Sequence, residues 1–250
     1  MPTPMLQVQG LTKYFGGLAA LKDVSFEVPE KYIYGFIGPN GAGKTTLFSA
    51  IAGSVQPSSG RIHSRGKDVT GMRPDALVRS GIARTHQVVR PFRTMSVLEN
   101  VQVAVHFGRS KVTRASLARE QARQVLNWVG LEHAAERPAS SLALGDQKRL
   151  EVARALATEP ALLLCDEICG GLTVPETRNM LDLLRRIRER GTTIMYVEHD
   201  MKAVMGVCDH IVVLNFGQKL AEGKPEEIQN NQAVIEAYLG KPNPGRKAIA

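Results

Sequence analysis

The sequence predicts an α/β protein: a mostly parallel sheet covered on both faces, with a helical lobe set into the chain. Three observations carry that reading. Short apolar strands alternate with helical stretches. The apolar segment "YIYGFIG", starting at Tyr32, runs straight into a glycine-rich loop. The middle of the chain drops the strand rhythm altogether. A parallel strand is buried on both faces, so it reads as an unbroken apolar run, as "ALLLC" from Ala161 and "IVVL" from Ile211 do.

Taken in order, β-branched residues and alternation predict short strands over residues 6–8 and 24–28, then a strand from Tyr32, a loop, and a helix starting near Lys44. From about residue 91 to residue 157, "TMSVLENVQVAV" and "SLAREQARQVLNWVGL" carry helical periodicity with no comparable strand between them. This stretch is the inserted lobe. The strand rhythm then resumes with "ALLLCDE", a helix over about residues 175–190, the strand "TTIMYVEH" and a short helix from Met201. Two closing strands lie in "HIVVLNFGQKLAEG". The segment "GKPNPGRKAIA" has the proline, glycine and lysine content of a loose tail, so residues 241–250 are expected to be flexible.

A chain of 250 residues with 43% hydrophobic content can bury a substantial core. Its apolar runs stop well short of the roughly 18 residues needed to cross a bilayer, and "MPTPMLQVQG" lacks the charged and apolar regions of a signal peptide. A cytoplasmic location without integral membrane segments is expected. Cys165, Cys169 and Cys208 lack the paired spacing of a zinc site and read as reduced, buried thiols. The net charge of +8 favours an anionic partner. With 5% aromatic residues and no basic stripe or long coiled-coil insertion, nucleic acid is not expected to be that partner.

The chemistry is concentrated in three places. "GPNGAGKTT" places Gly38, Pro39, Asn40, Gly41, Ala42, Gly43, Lys44, Thr45 and Thr46 in the G-x-x-x-x-G-K-[ST] pattern. Glycines let the backbone turn tightly and aim successive N–H groups at phosphate oxygens, and the following helix adds its positive end. Lys44 would reach the β and γ phosphates, and the Thr45 hydroxyl would ligate Mg²⁺. "ALLLCDE" delivers Asp166 and Glu167 at the C-terminal end of a buried strand, where open α/β sheets place their ligands. Asp166 is suited to hold Mg²⁺ through its water shell, and Glu167 to polarise an attacking water. "YVEHD" ends a third strand at His199, whose imidazole could meet the γ-phosphate or the water.

In this order the pieces resemble the ATP-binding subunit of an ATP-binding-cassette (ABC) transporter over almost the whole chain. The ordered set is the loop at Gly38, "ARTHQ" with Gln87, the helical lobe, "LALGDQ" with Gly145, "LLLCDE", the "GGLTVPE" turn and "VEHD". The resemblance implies a P-loop, RecA-like ATPase core over residues 1–90 and 158–240, with an antiparallel β subdomain and a helical subdomain over about 91–157. Together these make one ABC ATPase domain over residues 1–240. It also implies ATP and Mg²⁺ as ligands, with Gln87 beside Thr45 and Asp166 at the metal, and Phe15 of "LTKYFGG" stacked on adenine. Gly145 would present its backbone N–H to a nucleotide held by a second ATPase subunit, identical or closely related. Glu167, His199 and Gln87 would carry hydrolysis.

Within the family, "LKDVSFEV" and "VEHDMKAVMGVCDHIVVLNFGQKLAEGKPEEI" are most like the ATPases of branched-chain amino-acid importers. That likeness implies permease subunits, a second ATPase subunit, an external substrate-binding protein, and a peripheral position on the inner face of the membrane. Similar subunits serve urea, amide and aromatic-acid uptake, and a non-catalytic regulatory role is the other alternative. The segment "VVRPFRTMSVLENV" is the expected docking groove for a permease helix. The chain departs from the family pattern at four places. Ala143 stands where the signature carries serine, with Asp146 following Gly145; Ile168 replaces a proline; Thr173, Val174 and Pro175 stand where an Asn-Pro usually comes one step earlier; and Lys31 and Tyr32 replace a Gly-Glu pair. None of these removes a group that hydrolysis requires.

Overall fold

The structure is a computed structural model and describes residues 3–86 and 89–239. The chain opens with a long hairpin, β1 (Leu6–Phe15) and β2 (Leu18–Val28), and continues through β3 (Ile33–Ile37) into α1 (Lys44–Ile51). Next come β4 (Ser59–Ser64), β5 (Lys67–Asp68), α2 (Pro74–Ser80) and β6 (Ile82–Arg84). Three lobe helices follow: α3 (Val97–Phe107), α4 (Ala115–Val129) and α5 (Leu144–Leu156). The chain then resumes alternation with β7 (Leu162–Asp166), α6 (Val174–Glu189), β8 (Thr193–Val197) and α7 (Met201–Val207). The last elements are β9 (His210–Asn215), β10 (Gln218–Gly223), α8 (Pro225–Gln229) and α9 (Gln232–Leu239).

Two sheets result. One is antiparallel, in the order β2-β1-β4-β5; the other runs β10-β9-β3-β8-β7-β6 and is parallel except for its closing β9–β10 pair. Every residue of β3, β7 and β8 is buried, as their unbroken apolar sequences require. Alternation along these strands separates two cores. Ile33, Leu163, Cys165, Ile194 and Tyr196 face the helical side with α5 and α6, whereas Phe36, Leu162, Leu164, Met195 and Val197 face α1 and the antiparallel sheet. The C-terminal ends of β3, β7 and β8 therefore converge on one edge.

The hairpin corrects the expectation of short strands over residues 6–8 and 24–28. One face of β2 meets solvent, so Lys22, Asp23, Ser25 and Glu27 break the apolar run while Leu21, Val24, Phe26 and Val28 stay buried. Register shifts along β1 carry the ladder past the left-handed Gly10 and Asp23. The strand β6 was not legible either: three residues show no period, and only pairing with β7 defines them. Capping boxes start α3 and α6, with Ser96 and Glu99 closing one and Thr173 and Glu176 the other. Lys31 takes φ 62°, a left-handed backbone that favours glycine, and its N–H donates to the Thr193 hydroxyl at 2.8 Å. All three cysteines are free and buried. The expected tail, 241–250, lies outside the described residues.

Candidate nucleotide site

The glycine loop joins β3 to α1 on the converging edge. Gly38 is required sterically, because at φ 153° a Cβ there would fall 2.1 Å from the Leu214 carbonyl oxygen. Gly43, at φ 101°, caps α1, and a Cβ would stand 2.6 Å from the Ala20 carbonyl oxygen. Lys44 is buried, with Nζ donating to the Gly38 and Pro39 carbonyls at 2.6 and 3.0 Å. Burial pushes its pKa down, and the nearby Glu167 and Asp166 charges push it back up. The loop thus holds a cation at the point where its own backbone turns.

Asp166 ends β7 and is almost fully buried. Its Oδ2 accepts from Arg84 Nη2 at 2.6 Å; Arg84 Nη1 donates to the Ser49 hydroxyl at 3.0 Å, tying the acid to α1. Its Oδ1 is buried without a partner, an orphaned acceptor on the edge where a hydrated cation would sit. Glu167 follows at φ 49°, a left-handed backbone that L residues rarely adopt, and such strain gathers at functional sites. Its N–H donates to the Val197 carbonyl at 3.0 Å and its carbonyl accepts from Lys148 Nζ at 2.9 Å. Its side chain meets His199, with 2.5 Å between Nε2 and Oε1. The two residues predicted separately for catalysis are thus in direct contact.

A cleft of about 670 Å³ lies along this edge, within the usual size for a small-molecule site. Residues Asn40 to Thr46, Glu167 and His199 line it together with Phe15, Leu18 and Phe216. Phe15 is half-exposed, with the Lys13 ammonium 5.0 Å from its ring centroid. Gly145 is not among the lining residues. It sits in the first turn of α5, where a Cβ would lie 2.7 Å from a Glu176 carboxylate oxygen. Gln87 lies outside the described residues.

The profile of the ABC transporter family matches residues 21–170, and that of the branched-chain amino acid ATP-binding cassette transporters matches residues 218–242. The chain is 45% identical over 254 residues to the high-affinity branched-chain amino acid transport ATP-binding protein LivG of Salmonella typhimurium, covering 96% of this chain and all of that protein. The chain belongs to the ABC transporter family of ATP-binding proteins. The corresponding protein BraF of Pseudomonas aeruginosa is 42% identical over the same 96% of the chain. Among solved structures, the ADP conformation of an ATP-binding cassette of an ABC transporter superposes with a TM-score of 0.86 at 30% identity, covering 95% of this chain and 99% of that one.

Sequence reasoning missed several groups that organise this ABC cassette. Buried Glu198, next to His199, accepts from the Cys169 N–H at 2.6 Å and from the His199 N–H at 3.3 Å, joining the turn after Glu167 to the histidine loop. Burial raises its pKa, and the two N–H donors lower it. Glu151 on α5 accepts from the Arg90 N–H at 3.2 Å while Arg154 donates to the Arg90 carbonyl at 3.0 Å. One helix therefore holds the signature glycine at its start, the Glu167 backbone through Lys148, and the chain just beyond Gln87 through Glu151 and Arg154. The available signal lay in "KRLEVAR", where Lys148 and Glu151 stand three apart on one face of α5, a face they share with the buried Val152 and Ala155.

Proposed function

We propose that this chain binds and hydrolyses MgATP to power an importer of branched-chain amino acids. The observation that carries the proposal is the shared cleft, in which the phosphate loop, Glu167 and His199 meet at the C-terminal edge of a parallel sheet. The loop N–H groups and Lys44 neutralise the phosphates, so Lys44 exchanges its two loop carbonyls for phosphate oxygens. Thr45, Gln87 and the orphaned Asp166 Oδ1 would hold Mg²⁺, the last through water, and the bound ion would neutralise phosphate charge. Glu167 orients water in line with the γ-phosphorus and receives its proton as the bond to the bridging oxygen breaks and ADP leaves. His199, paired with Glu167, holds that carboxylate and contacts the γ-phosphate.

Within this reading residues 1–240 work as one ATPase domain, and residues 91–157 form the part that communicates with the membrane subunits. Gly145 stands outside its own chain's cleft, which favours a site completed by a second ATPase subunit that offers the signature helix N-terminus. Ala143 leaves that contact to backbone donors. A groove between α2, α3 and α5 lined by Asp75, Phe92, Phe107 and Arg154 suits a short helix of a permease subunit. No helix among the described residues is long and apolar enough to cross a membrane. In this reading the chain works with permease subunits on the inner face of the membrane, with a substrate-binding protein outside.

Cells lacking this chain should lose ATP-dependent uptake of radiolabelled leucine, isoleucine and valine. Wild type should restore it. His199→Ala should restore less than about one tenth of the rate, in line with the 10²- to 10⁴-fold scale of general acid–base groups. Uptake unchanged by the deletion would overturn the cargo.

A further inference from the structure

Phe216 is a large apolar residue placed where the fold gives its ring little to touch. It is 86% exposed and lies at φ 46°, followed by Gly217 at φ 75°, in the two-residue turn between β9 and β10. Both positions of this turn are left-handed, a geometry that favours asparagine, aspartate or glycine and disfavours a bulky side chain. The backbone there is held firmly. The Gly217 N–H donates to the Ala42 carbonyl at 3.1 Å and the Lys22 N–H donates to the Gly217 carbonyl at 2.8 Å, clamping the turn between the phosphate loop and β2. A strained and exposed aromatic on a rigid mount is rewarded only when something covers it.

The surroundings indicate what that is. Three large apolar side chains left exposed by the fold, Phe15 at 51%, Leu18 at 70% and Phe216 at 86%, line the same cleft as the phosphate loop. A nucleotide whose phosphates lie on Asn40 to Thr46 must leave its base at the part of the cleft away from Glu167 and His199. Phe216 also borders a neighbouring cleft with Asn215, Leu220 and Glu236, but that cleft lacks Lys44, Glu167 and His199.

We propose that Phe216 forms a second apolar wall for the purine base of the bound nucleotide, acting with Phe15 and Leu18. The inference rests on the nucleotide reading of the cleft and adds a base-recognition residue to it. Face-to-face or edge contact between the ring and the base buries surface on both without a hydrogen bond. The contact therefore strengthens binding of the nucleoside part and leaves the phosphate part untouched.

The test is calorimetric binding of ATP and of inorganic tripolyphosphate, both with Mg²⁺, to wild type, F216N and F216Y. Asparagine accepts the left-handed backbone, so F216N should fold with a melting temperature no lower than wild type. F216N should weaken ATP roughly five- to twentyfold, on the scale of one aromatic–base stack, and leave tripolyphosphate within about twofold. F216Y should keep wild-type affinity for both. Unchanged ATP affinity in F216N, or equal losses for the two ligands, would overturn the inference while the nucleotide site stands. Wild type that binds neither ligand would overturn the nucleotide reading as well.

Discussion

Glu167→Gln is expected to bind ATP within about threefold of wild type and to lose hydrolysis by roughly 10²- to 10⁴-fold. The amide keeps the shape of the side chain and a hydrogen-bond partner for His199 Nε2, which lies 2.5 Å from the Glu167 carboxylate. The backbone at φ 49° is held by the Val197 carbonyl and by Lys148, neither of which depends on the side chain. What disappears is the carboxylate proposed to take the proton from water. Phosphate release measured under saturating MgATP, beside equilibrium binding of the nucleotide, separates the two effects. Hydrolysis at the wild-type rate would remove Glu167 from the chemistry.

The second large effect falls on stability. Arg84→Leu should cost about 3–5 kcal/mol, because it strands the Asp166 carboxylate in the interior with Oδ1 already unpaired. For a chain of this size that is a fall in melting temperature of roughly 10 °C. The Arg84→Leu, Asp166→Asn double variant should recover part of the loss, since the buried charge is then gone, while still failing to hydrolyse ATP. Thermal unfolding of the four proteins closes the cycle. An Arg84→Leu protein as stable as wild type would mean that the pair contributes nothing to the fold, and that Asp166 meets water or another donor instead.

The contrast between these two predictions shows where the sequence was readable. The phosphate loop was legible because its chemistry is local: nine consecutive residues, from Gly38 to Thr46, supply both the turn and the cation. The buried strands were legible because burial on both faces makes a run of apolar residues that no surface segment has reason to carry. Arg84 and Asp166 stand 82 residues apart, and Glu167 and His199 stand 32 apart. Their pairing is set by strand order, and the strand bearing Arg84 has three residues and no period of its own. The left-handed backbones of Glu167 and Phe216 were equally hidden. Neither residue type favours that conformation, so it is imposed by packing around the turn.

The alterations in the signature take on a physical meaning in this frame. With Ala143 at the α5 N-cap, no side chain closes the first turn, so its free N–H groups and the helix dipole remain available for an anion. Glu176 stands beside Gly145 within the same chain and is engaged by Thr173 in the α6 capping box.

The central claim, that this cleft holds ATP by its phosphate loop, is tested most directly by titrating ATP with Mg²⁺ into wild type and Lys44→Ala in a calorimeter. Wild type should bind one ATP per chain. Lys44→Ala should weaken binding by roughly 10- to 150-fold, the loss of one buried charge-assisted phosphate contact. Wild type without ATP binding, or Lys44→Ala with wild-type affinity, would contradict the account.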